Sequence, residues 1–546
     1  MPTRGYRFIA PVEVLPDASS TSIQGRRLSE ADPDCQPEAE ILPLEPSAND
    51  ASSRSKSRFW LALIAALCVC SLVGAWLTFR HRATSTVEPK IHSLAVMPLK
   101  NLSGDPAQEY LADGMTEEVI GRLSMIHGLR VISRTSVMQF KDTKLLAPEI
   151  ARTLGADALV EGSVIRDGNR IRVHAQLIRA SSDEHFWSEA YDREFGDALS
   201  LESEVAESIA RRVEATVTGE ERVRLVAARP VSPEVYEIYL RGLAAKTNTR
   251  AEVEQRIAYF DEAVRRDPKF APAYVGLAQG YWGLGTIFVG APPGETRPKV
   301  ISAARKALEL DPELADAYVV LAEVHLSQWH WAEAEAEYKK ALDLDPNNAP
   351  AHMGLSGWLL IHGQMEEALA WARRGRELDP LGTSGDDIAG TLVIAHRYDE
   401  AIREYRNVLT IKPDDGGSLW SLGWALICNH QAAEAIPVLE KAASITDRSP
   451  AVISKLAWAY AHSGRLPDAL RLVEELKKRQ QAGYVPAGAF VIAYLGLGEK
   501  DEAFAWLERA YKEQSNLLKY LKVDLVFDSV RDDPRFQDLV RRVGLN

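Results

Sequence analysis

Three hydrophobic patterns follow one another along this chain, and each predicts a different kind of structure. The first is a continuous run, Phe59–Phe79 (FWLALIAALCVCSLVGAWLTF), without one charged residue. At about 1.5 Å per helical residue it reaches about 30 Å, the thickness of a bilayer's hydrocarbon core. The second pattern, over residues 90–220, mixes short apolar strands with amphipathic helices. The third, over residues 230–515, is helical throughout and recurs with a period near 34 residues.

The first pattern predicts a transmembrane helix over residues 58–80. A secretory signal would lie at the extreme N-terminus and have a shorter apolar core. A buried core helix would need partner helices nearby, and residues 1–57 offer none. That tail is rich in Pro, Ser, Ala, Asp and Glu without periodicity and reads as disordered. Arg54, Lys56 and Arg58 precede the run, while Arg80 and Arg82 follow it. This basic bias predicts a cytoplasmic N-terminus and a C-terminal body on the periplasmic side of a bacterial inner membrane, in a single pass. Trp60 and Trp76 suit the two headgroup belts.

The second pattern predicts a β-α-β-α-β-β-β-α domain. His92–Leu99 reads as a compact apolar strand, and Met115, Val119, Ile120 and Leu123 recur at helical spacing up to Ser124. Leu129–Ser133 reads as a second strand. Pro148–Leu154 reads as a helix, with Pro at its start and Gly155 at its end. Ala158–Arg166 and Arg170–Ala180 form a predicted hairpin around Asp167-Gly168-Asn169. Its return strand places Ile171, Val173, Ala175 and Leu177 on one face and Arg170, Arg172, His174 and Gln176 on the other. A strand near Phe186–Tyr191 and a helix over Leu199–Val217 complete the domain.

The third pattern is marked by Asp-Pro pairs at 267, 311, 345 and 379 and by Lys412-Pro413, spaced 44, 34, 34 and 33 residues apart. A 34-residue period of paired helices is that of tetratricopeptide repeats. The longer first interval contains an insertion over Thr286–Pro298, which reads as a loop. About eight units are predicted, several degenerate, stacked into a solenoid because one unit cannot bury its own apolar face. Phe527, Phe536, Leu539 and Val540 are expected to cap the last unit within residues 516–546. By resemblance to such repeats, the concave groove takes residues from the first helix of each pair, which here include Trp282, Trp420, Trp424 and Trp458. Exposed tryptophans there would suit peptide or helix recognition; the alternative is that the rings bury themselves between helices.

Composition narrows the function. The formal net charge is −13, opposite to what a general nucleic-acid binder needs. Of four cysteines, Cys35 lies in the tail, Cys68 and Cys70 in the apolar run, and only Cys428 in the body, so no disulfide framework or Cys-based zinc cluster is expected. Phosphate-loop, dinucleotide, zincin and nucleophile-elbow motifs are absent from the sequence. Asp113, Glu117 and Glu118 could form an acidic pair, but acids at a helix N-terminus are ordinary dipole complements. His174 reads as a solvated histidine, and His185 has no metal-ligand partner in the sequence. No catalytic residue, metal or cofactor is expected.

The runs Tyr110–Glu118, Leu129–Ser136, Val160–Val164 and Gly168–Val173 resemble the TolB amino-terminal-like domain, also described as FlgO-like. The resemblance implies a non-catalytic sensing or interaction module. The segment Thr3–Pro11, through Gly5-Tyr6-Arg7-Phe8, resembles the closing wing strand of OmpR-type winged-helix domains. Membrane-bound regulators resembling CadC carry a winged helix, a linker, one transmembrane helix and a sensor domain in that order. On this basis residues 1–12 would be a remnant of a wing.

The sequence therefore predicts a multidomain chain: a single transmembrane helix, an α/β domain at 90–220, an all-α solenoid at 230–515 and a cap at 516–546. The expected role is a membrane-anchored, non-enzymatic sensor of a one-component transcription regulator, with protein or peptide partners in the repeat groove. An envelope assembly scaffold and an accessory module of a cyclase or kinase system are the alternatives.

Overall fold

A computed structural model describes residues 90–226, 231–246, 249–285, 291–382 and 388–545, together with Ser71. The predicted wing remnant at residues 1–12, the tail and the apolar run Phe59–Phe79 lie outside the described residues, Ser71 apart. Among the described residues no helix is long and apolar enough to cross a membrane. The rest is multidomain, an α/β region followed by an all-helical repeat solenoid, and residues Pro89–Asn546 form one compact unit.

The α/β region opens with β1 (Ser93–Val96) and the short β2 (Lys100–Asn101), followed by α1 (Glu109–Ser124) and β3 (Arg130–Val131). Two further helices, α2 (Arg134–Val137) and α3 (Ala147–Leu154), lead to β4 (Ala158–Asp167), β5 (Arg170–Arg179), β6 (Glu184–Glu194) and α4 (Ala198–Arg212). The main strand order is β3-β1-β4-β5-β6, and β2 pairs with β4. β1 runs parallel to β3 and β4, whereas β4, β5 and β6 form an antiparallel meander.

Local chemistry explains most boundaries. Gly155 closes α3 in the left-handed region at φ 65°, where a Cβ would be penalised. Gly168, at φ 57°, takes the first central position of the two-residue turn between β4 and β5. Ile171, Val173, Ala175 and Leu177 are all buried, while Arg170 and Arg172 are exposed, as alternation requires. The second strand is shorter than Leu129–Ser133, because Ser133 caps α2 by accepting from the Ser136 amide. The helix expected to reach Val217 stops at Arg212. There Ala215 N donates back to Ala210 O and Glu214 turns left-handed at φ 55°.

After a short helix α5 (Gly219–Val226), the described residues form eight helix pairs. The first four pairs are α6 (Pro233–Ala244) with α7 (Arg250–Arg266), α8 (Ala271–Leu284) with α9 (Pro293–Leu310), α10 (Ala315–Ser327) with α11 (Trp331–Leu344), and α12 (Ala349–Ile361) with α13 (Met365–Leu378). The last four are α14 (Ile388–Ile394) with α15 (Tyr398–Ile411), α16 (Gly416–Cys428) with α17 (Ala432–Ile445), α18 (Pro450–His462) with α19 (Leu466–Ala482), and α20 (Ala487–Leu497) with α21 (Lys500–Lys512). Their contact depends on small residues. A Cβ on Gly354 would lie 2.2 Å from the Tyr338 ring, so only glycine lets α12 approach α11.

The insertion read as a loop is helical from Pro293 onward. Pro293 sits in the first helical turn, where its missing N–H has no partner to lose, and α9 carries Pro298 inside it. After α21 come two single 3-10 turns, Asn516–Tyr520 and Leu525–Val530, and α22 (Pro534–Val543). Phe527, Phe536 and Leu539 are buried, Val540 is half-buried, and the Phe527 and Phe536 rings lie 5.4 Å apart.

Candidate partner-binding groove

The tryptophans singled out by repeat position do not stay together. Trp282, at the end of α8, is half-buried against the core shared by the α/β domain and the first repeats. Trp420, Trp424 and Trp458 meet on α16 and α18 of the sixth and seventh pairs. Trp424 and Trp458 are each 6% exposed and pack edge to face, with centroids 5.6 Å apart at 82°. Trp458 stacks on His462 at 5.0 Å, one helical turn along, as the i, i+4 spacing dictates. Trp420 is half-buried and donates from Nε1 to Ala451 O at 2.9 Å.

The residue that organises this cluster is Lys455, which pattern reading passed over. It lies on α18, 6% exposed, with Nζ 3.4 Å from the Trp420 ring centre and 4.7 Å from that of Trp424. An ammonium over indole faces is a cation–π contact. Burial pushes the Lys455 pKa down to about 7, while Asp524 and Cys428 pull the other way. Cys428, at the end of α16, is itself buried, and burial raises its thiol well above the ordinary range. Asp524 comes from the segment after the last repeat. Its carboxyl is raised by burial, opposed by the Val526 amide at 3.0 Å and by Lys455. Trp424, Trp458 and Lys455 are thus buried inside the stack at the sixth and seventh pairs, as the alternative reading of these rings expects, with Trp420 half-buried beside them. A lysine at i+35 from a tryptophan carries no sequence signal; only stacking of neighbouring repeats brings the two together.

Asp113, Glu117 and Glu118 lie inside α1, beyond its first turn and not at its N-terminus, and each has a partner. Asp113 takes Lys141 Nζ at 2.5 Å, Glu117 faces Arg134 at 3.3 Å, and Glu118 accepts from the Tyr239 hydroxyl at 2.8 Å. Burial raises the Glu117 pKa, with Arg134 and Arg256 opposing. Glu202 of α4 accepts from Tyr236, and burial also raises its pKa. The bonds from Tyr239 to Glu118 and from Tyr236 to Glu202 join the α/β domain to α6. His174 Nε2 lies 2.9 Å from Ser188 Oγ on the exposed sheet face, and His185 is exposed. Among the described residues no cluster has the ligands for a metal ion.

Two repeat turns enter the α/β domain. Asn347, after α11, donates to Ser124 O and Leu129 O at 2.8 Å each and accepts from Val131 N at 3.2 Å. Asp379, after α13, accepts from the hydroxyls of Ser133 and Ser136. Ser136 Oγ also accepts from Leu381 N at 2.9 Å, and Ser133 N donates to Leu378 O at 2.8 Å. The turns at Asp345-Pro346 and Asp379-Pro380 are therefore docking points as well as helix stops.

Comparison with known proteins fits this division. The second-domain family of HilA/YgeH-like transcriptional regulators matches residues 90–208, and tetratricopeptide-repeat families match 315–348 and 426–485. The chain carries a HilA/YgeH-like regulator domain and tetratricopeptide repeats. A protein of Rhizobium meliloti (strain 1021) named "Putative adenylate cyclase 3" is 36% identical over 192 residues, which is 35% of this chain and 32% of that protein. The chain thus spans about a third of that curated relative. Among solved structures, a thermophilic tetratricopeptide-repeat protein of Thermus thermophilus aligns at 18% identity over 32% of this chain and 92% of that one, with a TM-score of 0.28. YrrB, a repeat protein with an unusual peptide-binding site, aligns at 21% identity over 36% and 95%, with a TM-score of 0.24. PilF of Pseudomonas aeruginosa aligns at 21% over 47% and 96%, also with a TM-score of 0.24. Scores this low carry no functional argument.

Proposed function

We propose that this chain is the sensing and protein-interaction part of a membrane-anchored, one-component transcription regulator, with no catalytic step of its own. The observation that carries the reading is the match of residues 90–208 to a domain of transcriptional regulators, joined to repeats whose turns are hydrogen-bonded into it. A partner bound by the repeats would then press on the α/β domain through Asn347 and Asp379. The runs resembling a TolB amino-terminal-like domain, the wing-like Gly5–Phe8 and the apolar Phe59–Phe79 support an arrangement like that of CadC-like regulators. Phe59–Phe79 would place the body outside the inner membrane, in the periplasm, and the partners would be proteins or peptides rather than nucleic acid. An alkaline phosphatase reporter fused after Asn546 tests this: activity in intact cells is expected. A reporter that works only as a cytoplasmic fusion would overturn the outward-facing sensor.

A second reading is favoured by one observation, the partial identity with the Rhizobium protein named an adenylate cyclase. Under it the chain is an accessory module of a cyclase-type signalling system. Deletion of the gene would then change cellular cyclic AMP, whereas the regulator reading expects a change in transcript levels with cyclic AMP constant.

A further inference from the structure

β6 is the edge of the sheet, and among the described residues no strand lies beyond it. It runs for 11 residues, where about five or six is usual. From Trp187 to Glu194 it carries none of the devices that blunt an edge: no Lys, no Pro and no bulge, the register shift lying earlier, against Leu177 and Ile178. The direction of its backbone groups follows from the ladder. The Phe195 amide donates to Asn169 O at 2.7 Å, and Arg170 stands opposite Glu194. Bonding alternates along an antiparallel pair, so Glu189, Tyr191 and Arg193 bond to β5 while Ser188, Ala190 and Asp192 turn N–H and C=O outward. Two outward carbonyls are met by arginines: Phe186 O accepts from Arg212 Nη2 at 2.8 Å, and Asp192 O from Arg193 Nη1 at 3.0 Å. Ser188 and Ala190, between them, are exposed.

The charges along this edge complement their own copy under a two-fold rotation. Helix α4 runs antiparallel to β6 at that edge: Glu204 pairs with Arg193 at 2.7 Å, and Arg212 reaches Phe186. Glu204 and Arg212 stand about 12 Å apart along α4, too far to meet within one chain. A two-fold axis through the middle of the strand reverses α4 in a second copy and brings the acid of each copy toward the base of the other. The strand itself selects the register. An axis through Glu189 or Asp192 sets a carboxylate opposite its own copy, which is destabilising. An axis through Ala190 sets Arg193 opposite the partner's Trp187, Asp192 opposite the partner's Ser188, and one methyl opposite another. No like charges stand opposite each other in that register.

We propose that β6 is a self-complementary edge whose partner is a second copy of this chain: two copies pair their β6 strands antiparallel about Ala190, joining two sheets into one, with Glu204 of each copy on the partner's Arg212. The outward amides and carbonyls of Ser188 and Ala190 supply the new ladder, and the charges on α4 fix its register. This surface is separate from the repeats and from the turns at Asn347 and Asp379, and it does not depend on the reading of the repeats as a protein-interaction module.

Sedimentation velocity on the full chain in detergent tests it, and a dimer in exchange with monomer is expected. Glu204→Arg and Arg212→Glu should each raise the dimer dissociation constant at least about tenfold, since each change sets like charges together twice across the axis. Combined in one chain, the two changes should restore the dimer, because the two positions meet only between copies. Ala190→Pro removes one outward N–H and leaves the ladder to β5 in place, so it should weaken the dimer at least about tenfold as well. Circular dichroism melts identify the variants that fold as the unaltered chain does. A chain that stays monomeric at about 100 μM would overturn the proposal. So would a dimer indifferent to the single charge changes, as one held through the apolar run Phe59–Phe79 would be, or one that the double change fails to restore.

Discussion

Asn347 holds Ser124 across more than two hundred residues of sequence: its side-chain amide donates to the Ser124 carbonyl at 2.8 Å, in a site where Asn347 is 8% exposed. The same amide reaches Leu129 O at 2.8 Å, and its oxygen takes the Val131 amide at 3.2 Å. A repeat turn thus completes the hydrogen bonding of the loop between α1 and β3, so the sheet and the solenoid share one polar joint.

Replacing Asn347 by Ala leaves those buried groups without partners. The expected cost is about 1–3 kcal/mol, because orphaned groups lose their full desolvation compensation. It should appear as a lower urea midpoint and as faster exchange of the Val131 amide specifically. An unchanged midpoint would mean that water replaces the side chain at no cost.

Two glycines of α12 give a paired prediction. Gly354→Ala drives a methyl into the Tyr338 ring, with an expected loss of about 1–3 kcal/mol from overpacking. Gly357→Ala, on the same helix, meets nothing within 4 Å and should stabilise by about 0.5–1 kcal/mol through helix propensity. Thermal melts of the two variants should move in opposite directions.

Lys455 gives a pH dependence with a definite sign. Its pKa falls from 10.5 to about 7 on burial, so between those values the unfolded chain binds more protons and stability rises with pH. The penalty for burying the ammonium is fully present below about pH 7 and fades toward pH 10.5. Lys455→Met removes that titration. The melting temperature of the unaltered chain, relative to the variant, should climb from pH 7 to pH 9.5; a constant difference would place the lysine in water.

Arg297 reaches the other end of the solenoid, with Nη2 on Gln514 O at 2.8 Å, and burial lowers its pKa to about 10. Arg297→Ala should cost about 1–3 kcal/mol, the penalty of an unpaired buried acceptor. Amides following Gln514 should exchange faster, while those of β4 and β5 remain unchanged.

Much of this architecture is legible from residue pattern. Alternation at Ile171–Leu177 gives the face of β5 that is buried. The 34-residue spacing of Asp-Pro pairs gives the paired helices, because one turn chemistry recurs at each unit's end. The limits are equally specific. Ser133 looks like a strand end until its hydroxyl is seen capping α2 and bonding to Asp379. Trp282 and Trp420 look equivalent by repeat position, yet they fall in different cores, because the α/β domain covers the first repeats and the C-terminal segment covers the later ones.

By itself, the sequence determined what depends on neighbours within a few tens of residues: helix and strand periods, caps, the hairpin turn, the repeat length and the lack of catalytic motifs. Tertiary structure alone decided what depends on groups brought together from afar. Asn347 against the α/β domain, Lys455 beside two indoles and Asp524 on the Val526 amide are each fixed by burial. The free energy of a buried polar group is set by its partners in space, and the spacing of letters along a chain does not encode them.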